Sequence, residues 1–196
     1  MALGFLSLLI ANFIGGALSP IFVKLGTKEI PPLTFTAVRF ILATIFLFPF
    51  YIRQREPKLQ LKKAKLLLFN TLFFAINVAL FSIAIQFTTV IASQIFYAFV
   101  PVIVGVLGIF ILNEKLSKNK IIGSTIAFLG LLFLINQSIS KEETLSFGTP
   151  IGTILLCLAV LSWSSYLVIS KKIHADYSSI TISFASFIST AVILSL

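Results

Sequence analysis

Long apolar stretches separated by short polar gaps set the pattern of this chain. No Asp, Glu, Lys or Arg occurs in 1–23, 30–38, 40–52, 66–113, 121–140, 144–170 or 177–196. A hydrocarbon core about 30 Å thick takes roughly 20 helical residues to cross. The run 66–113 is long enough for two crossings, with Gln86, Thr88 and Thr89 marking the turn between them. The pattern predicts an all-α membrane protein of about seven transmembrane helices, at 3–24, 32–52, 66–86, 90–112, 120–138, 150–170 and 178–196. The runs lack the alternation of a membrane barrel, and helices satisfy their own backbone in lipid. The first span has no basic leader and is too long for the apolar region of a signal peptide, so it reads as a retained helix.

Composition agrees. The chain has 196 residues, 58% apolar and 11% charged, with a mean hydropathy of +1.09. This excludes a soluble globular enzyme and a disordered chain. The net charge of +9 changes the picture only through its placement. Taking the N-terminal side as one face, 11 Lys and Arg fall there (Arg53, Arg55, Lys58, Lys62, Lys63, Lys65, Lys115, Lys118, Lys120, Lys171, Lys172). The other face receives Lys24, Lys28 and Lys141. The positive-inside rule then predicts a multi-pass protein of the cell (inner) membrane with a cytoplasmic N-terminus. The basic residues read as orientation signals and anionic-lipid contacts, not as a nucleic-acid surface. The expected partners are the lipid bilayer and a small-molecule substrate.

Residues from Gly152 echo those from Gly4 at a constant offset of 148: Leu8 meets Leu156, Ala11 meets Ala159, Ile21 meets Ile169, Lys24 meets Lys172, and Ala37 meets Ala185. The expected division is a five-helix repeat over 1–140 and the first two helices of a second repeat over 148–196. Five is odd, so the second copy lies inverted, as in many secondary transporters. The last apolar run has no polar flank before Leu196. The expectation is therefore a truncated chain lacking about three further spans.

Several motifs then carry a family resemblance. Span 1 holds the small-residue stretch Asn12–Pro20, followed by Lys24; Pro31–Pro32 and Arg39–Phe40 come next. Span 4 runs from Tyr97 and Pro101 to Asn113, Glu114 and Lys115. Gly123 and Gly130 lie in span 5, and Leu161, Ser162 and Trp163 in span 6. The chain resembles the EamA-like transporters of the drug/metabolite transporter superfamily. The resemblance implies ten helices in two inverted halves, cytoplasmic termini, and outward movement of small metabolites, often amino acids. The chain departs from that pattern in lacking the last three helices and in carrying Phe187 where the repeat matches Arg39.

Chemistry is sparse. Cys157 and His174 are the sole residues of their types, and Glu29, Glu56, Glu114, Glu142, Glu143 and Asp176 all lie in loops or at span ends. No acid–base pair, metal cluster or paired nucleophile can be assembled, so neither an enzyme nor a cofactor is expected. Glu114, beside Lys115 and Lys118, reads as an ion-pair partner. Polar groups inside the spans carry the remaining signal. Pro101 frees the Tyr97 carbonyl, and Pro20 frees that of Gly16. Gln94, Tyr97, Ala98, Pro101, Gly105 and Gly108 share one face of span 4 in a regular helix. Asn12, Gly16 and Ser19 share a face of span 1; Asn77 lies in span 3, and Ser162, Trp163, Ser165 and Tyr166 in span 6.

A buried amide without a partner costs on the order of 2–7 kcal/mol, which favours one shared polar space. The expected substrate site lies between spans 1, 3, 4 and 6, formed by Asn12, Asn77, Gln94, Tyr97, Pro101 and Trp163, with Arg39 at the outer mouth. Two alternatives stay open for single residues. Arg39 is the one charge within a span and either meets an anion or snorkels to the surface. Trp163 either stacks on substrate or fills the core. The stripe Gly123, Ala127, Gly130 is expected to pack within this half or between protomers, so a homodimer is one expected assembly. The leading function is a secondary transporter, an exporter of a small polar metabolite. The alternatives are a non-transporting membrane fragment, a seven-helix receptor and a membrane-embedded enzyme.

Overall fold

Proline, threonine and serine open the helices. The computed structural model describes residues 13–54, 61–113 and 148–196, with single positions in 4–10 and 122–133. Helix α1 is Phe13–Gly26, α2 is Pro32–Ile52, α3 is Leu61–Phe87, α4 is Val90–Tyr97, α5 is Val100–Leu112, α6 is Pro150–Ile173 and α7 is Ser179–Ser195. No strand occurs among the described residues. Pro32, Pro150 and Pro101 occupy first-turn positions, where a missing N–H costs nothing. Thr89, Thr149 and Ser178 each accept a hydrogen bond from a first-turn N–H of the helix they precede.

Pro32–Ile52, Ala64–Phe87, Val90–Leu112 and Pro150–Ile173 are long and apolar enough to cross a membrane, while Phe13–Gly26 and Ser179–Ser195 are shorter apolar helices. The expected spans 32–52 and 150–170 start at the residues where α2 and α6 start. Helix α3 begins at Leu61, ahead of the expected 66, because lysines are good helix formers and carry the helix on. The expected span 120–138 and the start of span 1 are described only at single positions.

Two helical stretches are interrupted, both at a proline. Span 4 divides into α4 and α5 around Ala98 and Phe99, one residue before Val100–Pro101. Helix α1 opens as a π-helical segment, Phe13–Leu18, and becomes α-helical at Ser19, just before Pro20. A π-segment carries a surplus residue per turn, and such segments often lie at functional sites.

Helix α3 is central. It packs against α6 most extensively, and against α7, α2 and α1; α2 packs on α7, and α5 on α6. Contacts fix the directions. Asn70 meets Ser170 and Asn77 meets Ala159, so α6 runs antiparallel to α3. Lys24, near the end of α1, meets Ile85 and Thr88 at the end of α3, so the two helices finish at the same level. Phe40 meets Phe187 and Tyr51 meets Phe184, so α7 runs antiparallel to α2. The core holds Phe40, Phe74, Val78, Tyr166, Ile173, Tyr177, Ile182 and Ala191. Phe74 is its hub, with the rings of Phe40, Tyr166, Phe187 and Trp163 at 5.4, 5.1, 5.8 and 6.0 Å.

Candidate functional site

A polar junction joins α3, α4 and α6. Asn77, 5% exposed, donates from Nδ2 to Tyr97 Oη at 2.6 Å and to the Ala159 carbonyl at 2.8 Å. The Tyr97 ring stands edge-on to Phe81 at 5.6 Å, which holds its hydroxyl toward α3. Ser162 Oγ donates to the Phe73 carbonyl at 2.8 Å, a further tie between α6 and α3. One amide was missed in the sequence. Asn70 is fully buried and donates to Ser170 Oγ at 2.9 Å, while its Oδ1 accepts no hydrogen bond among the described residues. Its signal was available: Asn70 and Asn77 are two helical turns apart on one face.

A second junction lies where the interrupted helices meet. Gln94 Nε2, one turn before the break in span 4, donates to the Gly16 carbonyl at 3.3 Å. That carbonyl is the one deprived of an α-helical partner by Pro20. Arg39 forms a third junction, between α2 and α1: its Nη1 lies 3.5 Å from Ser19 Oγ, and its Cζ lies 5.0 Å from the centre of the Phe40 ring. A guanidinium near the centre of a membrane helix costs about 2.5–3.5 kcal/mol on insertion scales.

The expected site residues thus separate into groups. Asn77 and Tyr97 meet directly. Gln94 is exposed and turned to α1, and Arg39 bridges α2 and α1. Trp163 is half-buried and stacked on Tyr166 at 5.1 Å, one turn along α6 from Ala159. The expected single face of span 4 is not uniformly buried: Gln94 and Pro101 are exposed, Tyr97, Ala98 and Gly105 are half-buried, and Gly108 is buried. Ala98 and Phe99 keep right-handed helical dihedrals through the interruption, so the difference lies in the neighbours met along the helix. Asn12, Glu114 and Ala127 lie outside the described residues. Side chains added at Gly123 or Gly130 would meet nothing within 4 Å among the described residues. A shallow apolar groove of about 460 Å³ lies elsewhere, between α3 and α7, lined by Leu68, Thr71, Leu72, Ile188, Val192 and Ile193 among others.

Helix α1 is tied to the bundle largely by polar contacts. Besides Arg39–Ser19 and Gln94–Gly16, Lys24 Nζ donates to the carbonyls of Ile85 and Thr88, the latter at 2.6 Å. Gln86 Nε2 returns a bond to the Thr27 carbonyl at 3.0 Å. The apolar side chains of Phe13, Ile14, Ile21, Phe22 and Leu25 face outward. Sequence reasoning gave Lys24 only an orientation role, because the carbonyls it meets carry no mark in the sequence.

The chain is similar to several bacterial membrane proteins. It is 29% identical to the uncharacterized transporter YetK of Bacillus subtilis (strain 168), over 82% of this chain and 49% of the relative. It is 30% identical to the uncharacterized inner membrane transporter YhbE of Escherichia coli (strain K12), over 86% and 54%. It is 27% identical to a probable amino-acid metabolite efflux pump of Salmonella typhimurium, over 87% and 54%. The chain spans about half the length of the curated relatives it matches. No solved structure matches it. The model of the EamA-like transporter family matches residues 2–136, which cover the π-to-α transition of α1, Arg39, the Asn77–Tyr97 pair and the break at Pro101, and the chain belongs to that family.

Proposed function

We propose that the chain forms part of a secondary transporter that exports a small polar metabolite, such as an amino acid, across the cytoplasmic membrane. The observation that carries this reading is the pairing of two interrupted helices. Gln94 beside the break in span 4 bonds the carbonyl freed in span 1, with the Asn77–Tyr97 junction one turn away along span 4. Irregular backbone at membrane depth is tolerated where it lines a cavity, and transporters place substrates at such breaks. The name of the Salmonella relative, a probable amino-acid metabolite efflux pump, supports the direction and the substrate class.

The proposed architecture has seven crossings, with the second repeat inverted. Thr149 N–H bonds the Phe87 carbonyl at 2.9 Å, so α6 starts beside the turn after α3. Span 4 leaves that turn and ends at Leu112, so Leu112 and Thr149 lie at opposite ends of span 4. The antiparallel pair α2–α7 supports the inversion. So do the ends: α1 ends at Gly26 and α6 at Ile173, α2 starts at Pro32 and α7 at Ser179, each pair 147 residues apart.

Two measurements test these readings. In cells expressing the protein, Tyr97→Phe is expected to raise the apparent KM for export about threefold to tenfold with unchanged expression, as the loss of one hydrogen bond predicts. Gln94→Ala is expected to do more, since it removes a donor and an acceptor; wild-type KM values for both variants would refute the site. Reporter fusions after Lys63 and Lys118 are expected to read cytoplasmic and one after Glu142 outside. The opposite reading at two of the three would refute the orientation.

A further inference from the structure

We infer that Arg39, with Ser19, forms a receptor for an anionic oxygen on the transported molecule, so that the substrate carries a carboxylate or an equivalent oxyanion. This rests on the transporter reading above and adds a substrate class to it. Depth is the first argument. Arg39 lies seven residues into α2, about 10 Å from its start at 1.5 Å per residue. Ser19 lies seven residues before the end of α1, at about the same depth. The guanidinium therefore reaches sideways between two helices. A snorkelling arginine would extend toward the helix end instead.

Unused valence is the second argument. A guanidinium has five N–H donors in a planar fork suited to two oxygens at once. Here Nη1 has one neutral partner at 3.5 Å, and the ring beneath the group belongs to its own neighbour, Phe40. Among the described residues no carboxylate pairs with it. The Ser19 hydroxyl can turn to donate, giving an incoming oxyanion an O–H beside the fork.

The third argument is the repeat. At the sequence offset of 148, Arg39 corresponds to Phe187, whose ring packs 5.3 Å from Phe40 and 5.8 Å from Phe74, and at the 147 of the helix ends to Ser186; neither carries a charge. An aromatic side chain satisfies that position in the helix pair, so packing does not require the cation. The charge is the asymmetric element between the two halves, and charge inside a membrane bundle marks substrate pathways.

The test begins with cells expressing the wild-type protein against empty-vector cells, with mass spectrometry of the medium. Every exported metabolite is expected to be anionic or zwitterionic at pH 7. Arg39→Gln is expected to lower that export at least tenfold, and Arg39→Lys to retain part of it. Arg39→Phe, which copies the residue of the second repeat, is expected to accumulate and melt like the wild type while losing export. Export of a metabolite with no anionic group, or wild-type export by Arg39→Gln, would overturn the inference. Export of nothing at all would overturn the transporter reading itself, and the inference with it. A lipid phosphate is the other source of such an oxygen. It is excluded if vesicles with and without phosphatidylglycerol give the same melting difference between wild type and Arg39→Gln. Stabilisation by phosphatidylglycerol that depends on Arg39 assigns the oxyanion to lipid and overturns the inference.

Discussion

Replacing Gly148 with alanine is expected to cost about 2–5 kcal/mol of stability, enough to abolish accumulation of the folded protein at growth temperature. Gly148 has φ of 81°, a backbone region that side chains rarely adopt. A Cβ there would sit against the Phe87 carbonyl oxygen and 2.6 Å from Cα of Thr88. Both neighbours are backbone, so no rotamer change relieves the clash. Within the first turn of α6, a Cβ at Gly152 would lie 2.5 Å from Thr88 Cγ2 and 2.8 Å from Phe87 Cβ. Gly152→Val is therefore expected to push the start of α6 off the turn and lose the Thr149–Phe87 bond. Yield after mild solubilisation and thermal unfolding in bicelles are the measurements. Wild-type values for both variants would show that the close approach of α6 to this turn is unimportant.

Lys24→Met is expected to destabilise the protein by about 1–3 kcal/mol, while Lys24→Arg recovers most of the loss. The reason is an accounting of the last carbonyls of α3, which have no partner within the helix. Ala84 accepts from Thr88 Oγ1 at 2.9 Å, Phe87 from Thr149 N–H at 2.9 Å, and Ile85 from Lys24. Ile85 is fully buried, so its carbonyl has no access to water once the ammonium is removed. A cation at a helix C-terminus also meets the negative end of the helix dipole. Methionine keeps the length of the side chain and removes its charge and donors, which isolates the polar contribution. An unchanged melting temperature for Lys24→Met would refute this accounting.

The helices were largely legible because their signals are local. Pro32 and Pro150 open α2 and α6 where expected, and Pro101 breaks span 4 where its missing N–H requires it. Partners were less legible. Asn77 stands out as an amide in a charge-free run, yet one of its acceptors is the Ala159 carbonyl, and a backbone atom leaves no trace in residue types. The same holds for Gly16 under Gln94 and for Ile85 under Lys24. The π-helical segment of α1 was not foreseen, since Phe13–Leu18 carries no breaker other than its two glycines. Gln94 and Tyr97 lie three residues apart within α4, and side chains so spaced diverge by about 60°, enough to reach different neighbours, α1 and α3.

The aromatic hub has a spectroscopic consequence. The chain has one tryptophan, Trp163, stacked on Tyr166 and in contact with Phe74 across the boundary between α6 and α3. Indole emission from this chain therefore arises from that boundary. Separation of α6 from α3 changes the surroundings of the indole and hence its emission, whereas a shift of α1 alone leaves the stacked pair in place. The protein carries its own label-free optical reporter for one defined helix–helix motion.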